Sequence, residues 1–170
     1  MATSRRQFVA VAATTLGLAP VVAWLSGPSF VNGAEPPRTF PFQKSDAEWR
    51  AALNPAQYRV LRQGRTELAG SSPLNREKRK GTFACAGCGQ RLFASETKFE
   101  SGTGWPSFHT PIERGVGTSI DRSWFMVRTE VHCANCGGHL GHLFDDGPKP
   151  TGLRYCMNGA ALAFVVGGQS

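Results

Sequence analysis

Hydrophobic and polar positions divide the chain into stretches of different period. Phe8 to Leu25 is largely apolar, follows the pair Arg5-Arg6, and no further charge occurs until Glu35. Glu35 to Gln43 holds four charged or polar residues and three prolines, Pro36, Pro37 and Pro41, as expected of an extended linker. Apolar residues then fall at helical spacing. Ser45 followed by Glu48 makes a capping box for a short helix through Trp49 and Leu53. Asn54-Pro55 caps and starts a second helix, which carries Tyr58, Val60 and Leu61 and ends at Gly64. From Gly81 onward the pattern changes to short runs of aromatic and β-branched residues between Gly, Pro and Asp turns. Gly81 to Phe83, Trp124 to Arg128 and Ala161 to Val166 are the clearest, and each predicts a strand.

Composition agrees with a turn-rich, mainly β body: the 170 residues include 20 Gly and 11 Pro. About 136 residues remain after the apolar amino terminus, the size of one domain. Of the formal charge of +7, two units come from Arg5 and Arg6, so the excess on the body is mild. Its one dense patch, Arg76, Lys78, Arg79 and Lys80, reads as a solvated loop rather than a nucleic-acid footprint.

Ser4-Arg5-Arg6-Gln7-Phe8 resembles a twin-arginine export signal, with the small residues Gly33 and Ala34 as cleavage points. An uncleaved anchor is the alternative, although Thr14, Thr15, Gly17 and Pro20 dilute a stretch barely long enough to span. The expected organisation is a signal segment over 1–34, a linker over 35–44 and the working domain over 45–170. The expected location is outside the cytoplasm, periplasmic or membrane-associated. Twin-arginine substrates fold before export, so a metal can be loaded in the reducing cytoplasm.

Four of the five cysteines form two pairs, Cys85-Ala86-Gly87-Cys88 and Cys133-Ala134-Asn135-Cys136, each followed by glycine. This turn spacing lets both thiolates of a pair face one tetrahedral ion, and two such knuckles make a closed structural site whose ordinary occupant is zinc. The long interval between them predicts a clamp on two distant hairpins rather than a zinc ribbon. Two disulfides remain the alternative for an exported protein. A site of four thiolates leaves no open position for water, so chemistry is expected elsewhere.

The fifth cysteine, Cys156, is unpaired, and Arg154 lies two residues away, on the same face if the segment is a strand. Such a charge favours the thiolate. Here the sequence is similar to the peptide methionine sulfoxide reductases of the B type, selective for the R epimer. The segments that carry the resemblance are Ala47 to Arg50, Gln57 to Arg62, both cysteine pairs, Gly102 to His109, Arg128 to Val131, Gly138 to Pro148 and Arg154 to Asn158.

The resemblance implies a fold of two antiparallel sheets with short N-terminal helices and a structural zinc. It implies attack by Cys156 on the sulfoxide sulfur, leaving a sulfenic acid. By position, His139 and His142 take the electrostatic and acid role, Asp146 and Asn158 their polar support, and Trp105 the contact with the substrate methyl group. Phe108 is placed with Trp105 as a substrate-binding residue, and packs on either reading. Many family members carry a resolving cysteine where this chain has Thr103, and no sixth cysteine replaces it. An external thiol is therefore expected to reduce the sulfenic acid. The expected partners are methionine-R-sulfoxide in oxidised proteins or peptides and a thioredoxin-like protein or small thiol, with no nucleic acid and a monomeric chain.

Two other classes remain open from the residues alone. A zinc-ribbon binding module leaves Cys156, Trp105 and the histidines without a joint role. A thiol-disulfide oxidoreductase acting through the Cys-x-x-Cys pairs requires thiols free of metal.

Overall fold

A computed structural model of the chain describes residues 39–123 and 126–167. The expected export signal, the first four residues of the expected linker, and Trp124 and Phe125 of one expected strand lie outside the described residues. Helix α1 (Asp46–Ala52) starts at Ser45, whose Oγ accepts from the Glu48 amide while Glu48 accepts from the Ser45 amide at 2.8 Å. Helix α2 (Pro55–Gln63) repeats the device with Asn54 and Gln57, and stops at Gly64 in the left-handed conformation, φ 63°. Trp49, Leu53, Tyr58, Val60 and Leu61 are the buried residues of this pair and its caps, and together with the strand residues they form one core. The expected helix boundaries hold because each end closes its own unpaired amides or carbonyls.

Among the described residues nine strands follow: β1 (Gly81–Cys85), β2 (Arg91–Ala94), β3 (Lys98–Phe99), β4 (Ser107–Phe108), β5 (Val116–Asp121), β6 (Arg128–Cys133), β7 (His139–Phe144), β8 (Arg154–Met157) and β9 (Leu162–Val166). They form a three-stranded sheet ordered β2-β1-β9 and a six-stranded sheet ordered β3-β4-β8-β7-β6-β5, antiparallel throughout. The expected fold of two antiparallel sheets preceded by short helices is what forms.

Phe108 of β4 joins the sheets. It is wholly buried, stacked on Phe93 at 4.3 Å and edge-on to Phe83 at 4.9 Å, and both partners belong to the smaller sheet. Burial of one such ring stabilises by about 1.5–3 kcal/mol, with a further increment for the aromatic pairs.

Two strand expectations are corrected at their edges. Of the described part of the run Trp124 to Arg128, only Arg128 joins the ladder, while Met126 and Val127 stay outside it and are exposed. In the last run, Gly159–Ala161 forms a 3-10 turn and pairing starts at Leu162. Where β7 passes β8, Gly141 is the only residue type that fits. A Cβ there lies 2.1 Å from the carbonyl oxygen of Cys156.

Candidate functional site

The two cysteine pairs come from different sheets. Cys85 and Cys88 sit at the β1–β2 turn, and Cys133 and Cys136 at the β6–β7 turn. In each turn the amide four residues after the first cysteine bonds back to its carbonyl, Gly89 to Cys85 and Gly137 to Cys133, both at 2.9 Å. Both glycines have positive φ, 73° and 68°. The four sulfurs lie within 4.8 Å of one another, with closest approaches of 3.6 Å for Cys88–Cys133 and 3.7 Å for Cys85–Cys136. A tetrahedron with Zn–S bonds of about 2.3 Å has an edge of about 3.8 Å. The donor set and its spacing therefore fit one metal ion, and the cysteines are not joined as disulfides.

Cys156 stands apart from that cluster, in the middle of β8. Ser107 of β4 is its register partner on one side and His142 of β7 on the other. It is half-buried at the floor of a cleft of about 220 Å³, whose walls are Thr66, Trp105, Arg128, Gly141, His142, Phe144 and Asn158. Of the residues singled out in the sequence, Cys156, Trp105, His142 and Asn158 are brought together here. His139 lines the adjoining larger cleft, of about 700 Å³, which shares Thr66, Arg128 and His142 with the first.

The two histidines are oriented by carboxylates that the sequence did not reveal. His142 Nε2 lies 2.8 Å from Asp121 Oδ2, and His139 Nδ1 lies 2.8 Å from Glu130 Oε1. Bonds from Ser123, His142 and Arg128 hold the Asp121 carboxyl well below the usual carboxylate range. His139, followed by Ser119, holds Glu130 down to about 2. Both carboxylates are thus ionised acceptors at neutral pH, so the proton of a neutral ring sits on His142 Nε2 and on His139 Nδ1. The opposite nitrogen, His142 Nδ1 or His139 Nε2, is left to other partners, and His139 Nε2 is buried without one among the described residues. Burial pushes the His142 pKa below its ordinary value, against a smaller pull upward from Asp121.

Arg154 and Asp146 form a bidentate ion pair at 2.8 Å, and the guanidinium lies 4.3 Å from the Phe144 ring centre. Asp146 raises the Arg154 pKa most, with Cys156 among the lesser causes. Arg154 is therefore beside the thiol, but its charge is shared with a carboxylate and it does not line the cleft. The cation in the cleft wall is Arg128, which binds Asp121 at 2.7 Å and has a buried Nε with no partner among the described residues. Phe108, expected next to the substrate, packs wholly within the core instead, because the β4 register turns it toward Phe83 and Phe93.

Glu67 is a further residue that sequence reasoning missed. Its backbone carbonyl accepts from the Trp105 indole at 3.2 Å and its amide donates to Asn158 Oδ1 at 3.0 Å. Its carboxylate accepts from the amides of Gly159 and Ala160 at 2.5 and 3.0 Å. Asn158, itself buried, also donates to Leu140 O at 3.0 Å. One residue of the loop after α2 thus holds both the Trp105 wall and the turn after Cys156. A lone Glu in a loop carries no sequence signal for such a role.

Chemically, the cleft offers a soft sulfur nucleophile, an apolar indole wall and an ionisable ring within one small volume. Residues 53–166 match the SelR domain family model. The peptide methionine sulfoxide reductase MsrB of Leptospira interrogans is 56% identical over 122 residues, covering 71% of this chain and 93% of its own. That of Methanosarcina mazei is 54% identical over 124 residues, 72% of this chain and 89% of its own. The Agrobacterium fabrum protein of the same name is 52% identical over 122 residues, 71% and 90% of the two chains.

Proposed function

The chain belongs to the SelR domain family, the B-type peptide methionine sulfoxide reductases, and from that membership we propose how its own residues reduce peptide-methionine (R)-S-oxide. The observation that carries the reading is the shared cleft of Cys156, Trp105, His142 and Asn158. The sulfoxide methyl group packs on Trp105, with its sulfur toward Cys156 and its oxygen toward His142. The Cys156 thiolate attacks the sulfoxide sulfur. As the S–O bond breaks, the oxygen passes to Cys156 and one proton is taken up, giving the sulfide and a cysteine sulfenic acid. The protonated His142 ring supplies that proton from Nδ1, with Asp121 holding Nε2–H.

An external thiol then attacks the sulfenic sulfur, releasing water and forming a mixed disulfide, which a second thiol resolves. The reading is supported by Thr103, which stands 3.8 Å from Cys156 Sγ where a resolving thiol is otherwise expected. Zinc held by Cys85, Cys88, Cys133 and Cys136 supplies no catalytic chemistry, since four thiolates leave no open position. Its work is to fasten the two sheets. Export through the Arg5-Arg6 signal, with the metal loaded before transport, belongs to the same proposal.

The deciding experiment is turnover of the two sulfoxide epimers in a model peptide by wild type and Cys156→Ser. Wild type is expected to consume the R epimer alone, and the variant to keep under about 1% of that rate, in line with the loss of a nucleophile. Consumption of the S epimer, or an active Cys156→Ser, overturns the reading.

A further inference from the structure

An unbroken row of hydroxyls runs from Cys156 to the backbone of Trp105. Thr103 Oγ1 lies 3.8 Å from Cys156 Sγ, Ser101 Oγ 2.8 Å from Thr103 Oγ1, and Ser107 Oγ 2.7 Å from Ser101 Oγ. The row ends where Ser107 Oγ donates to Trp105 O at 3.2 Å. Each hydroxyl has one proton to give, and a carbonyl can only accept. Once the Ser107 proton is committed to Trp105, Ser107 must accept from Ser101 and Ser101 from Thr103. Thr103 Oγ1 then faces the sulfur as an acceptor, the polarity that suits a protonated thiol.

A thiolate can only accept. The same row serves it by turning: Thr103 gives its proton to the sulfur, Ser101 to Thr103 and Ser107 to Ser101, and the Trp105 carbonyl loses its donor. The Thr103 amide, 3.5 Å from Ser101 Oγ, is compatible with both directions, since that oxygen has two lone pairs. Building on the assignment of Cys156 as nucleophile, we propose that Ser107, Ser101 and Thr103 form a reversible hydrogen-bond relay that turns to donate toward Cys156 when its thiol ionises. Thr103 is thereby a positioning residue for the thiolate. No proton travels along the relay: the thiol proton leaves into the cleft and the hydroxyls rotate.

The charged and titratable groups near the sulfur lie on other sides of it: Arg154 on its own strand, His142 across on β7 with Asp121 behind it, and Arg128 in the cleft wall. The segment from Ser101 to Ser107 contributes no charge, only these hydroxyls and the Trp105 indole. An S–H group is a weak donor, whereas a hydroxyl bonded to a charged sulfur is a charge-assisted contact. The relay therefore gives more to the thiolate than to the thiol.

The test is the pH dependence of Cys156 alkylation by iodoacetamide in the metal-loaded, reduced protein, read by peptide mass, for wild type, Thr103→Val, Thr103→Ser and Ser101→Ala. Valine keeps the shape of threonine and removes the hydroxyl. The midpoint is expected to move to higher pH in Thr103→Val, with alkylation near neutrality about tenfold slower, as for the loss of one hydrogen bond to a charged group. Thr103→Ser is expected to restore the wild-type profile, and Ser101→Ala to move it the same way by less. An unmoved midpoint in Thr103→Val, or Thr103→Ser moving as far as valine, overturns the relay. If Thr103→Val does not retain its metal, Ser101→Ala decides: an unmoved midpoint there overturns the relay. Failure of the nucleophile assignment reads separately, as sulfoxide turnover by Cys156→Ser.

Discussion

His142 Nε2 stands 2.8 Å from Asp121 Oδ2, and the same oxygen takes the Arg128 guanidinium at 2.7 Å. The carboxylate is thereby divided between a cation and the ring, while burial works against the charged form of His142. An acid whose pKa lies below the ordinary histidine value is protonated only below that value. Reduction at saturating reductant is therefore expected to fall as pH rises through this depressed pKa. Asp121→Asn removes a group that holds the imidazolium, so the limb should shift to lower pH. His142→Gln should cost about a hundredfold in kcat, the usual order for a general acid. A pH–rate profile that Asp121→Asn leaves in place sinks the assignment of His142 as the acid.

Because the cysteine pairs sit on different sheets, metal loss should loosen the joint between sheets as well as the turns. Replacing any one of Cys85, Cys88, Cys133 or Cys136 by Ser is expected to lower metal content and thermal stability together. In small zinc domains the coupled free energy is about 10 kcal/mol or more. Metal analysis beside thermal unfolding checks this, and a fully stable, metal-free variant counts against the structural role.

After one equivalent of substrate, the reduced protein should carry a sulfenic acid at Cys156 that dimedone traps, with no internal disulfide. Thr103→Cys should close one to Cys156, since the Thr103 hydroxyl is already 3.8 Å from the sulfur. Intact mass before and after reduction reads both outcomes. A disulfide from Cys156 to a knuckle cysteine in the wild type contradicts the scheme.

Glu67→Gln keeps the backbone bonds to Trp105 and Asn158 but weakens the carboxylate's hold on the Gly159 and Ala160 amides. Bonds to a charged acceptor contribute roughly 1.5–3 kcal/mol each. The variant should lose stability of about that order and show a raised KM for sulfoxide peptide. Unchanged unfolding and an unchanged KM together remove Glu67 from the site.

Arg5-Arg6→Lys-Lys is expected to leave precursor in the cytoplasm, because the arginine pair is an address read by a receptor rather than a bulk charge. Fractionation measures it, and export at the wild-type level points to the general secretory route.

The helices and the cysteine knuckles were legible in the sequence because their signals are local. Ser45 with Glu48, and Cys85 with Cys88, act within one turn of chain. The histidine partners were not, because strand pairing sets them. Asp121 lies opposite Arg128 on the next strand, and Glu130 opposite His142, yet a register shift at Val131 and His132 lets Glu130 reach His139 instead. Arg154 shows a subtler limit. Its spacing from Cys156 was readable, but the Asp146 carboxylate that shares its charge comes from a loop beyond β7, and only the folded chain brings the pair together.

Gly141 turns that dependence on geometry into something a genetic screen would register. With no side chain it has no chemistry to offer, yet any Cβ there collides with the carbonyl of Cys156 and pushes the strand carrying the thiol off its neighbour. In a saturation library scored by growth under oxidant, position 141 will be as intolerant as position 156. Only an assay that separates abundance from turnover will tell the residue that reacts from the one that makes room for it.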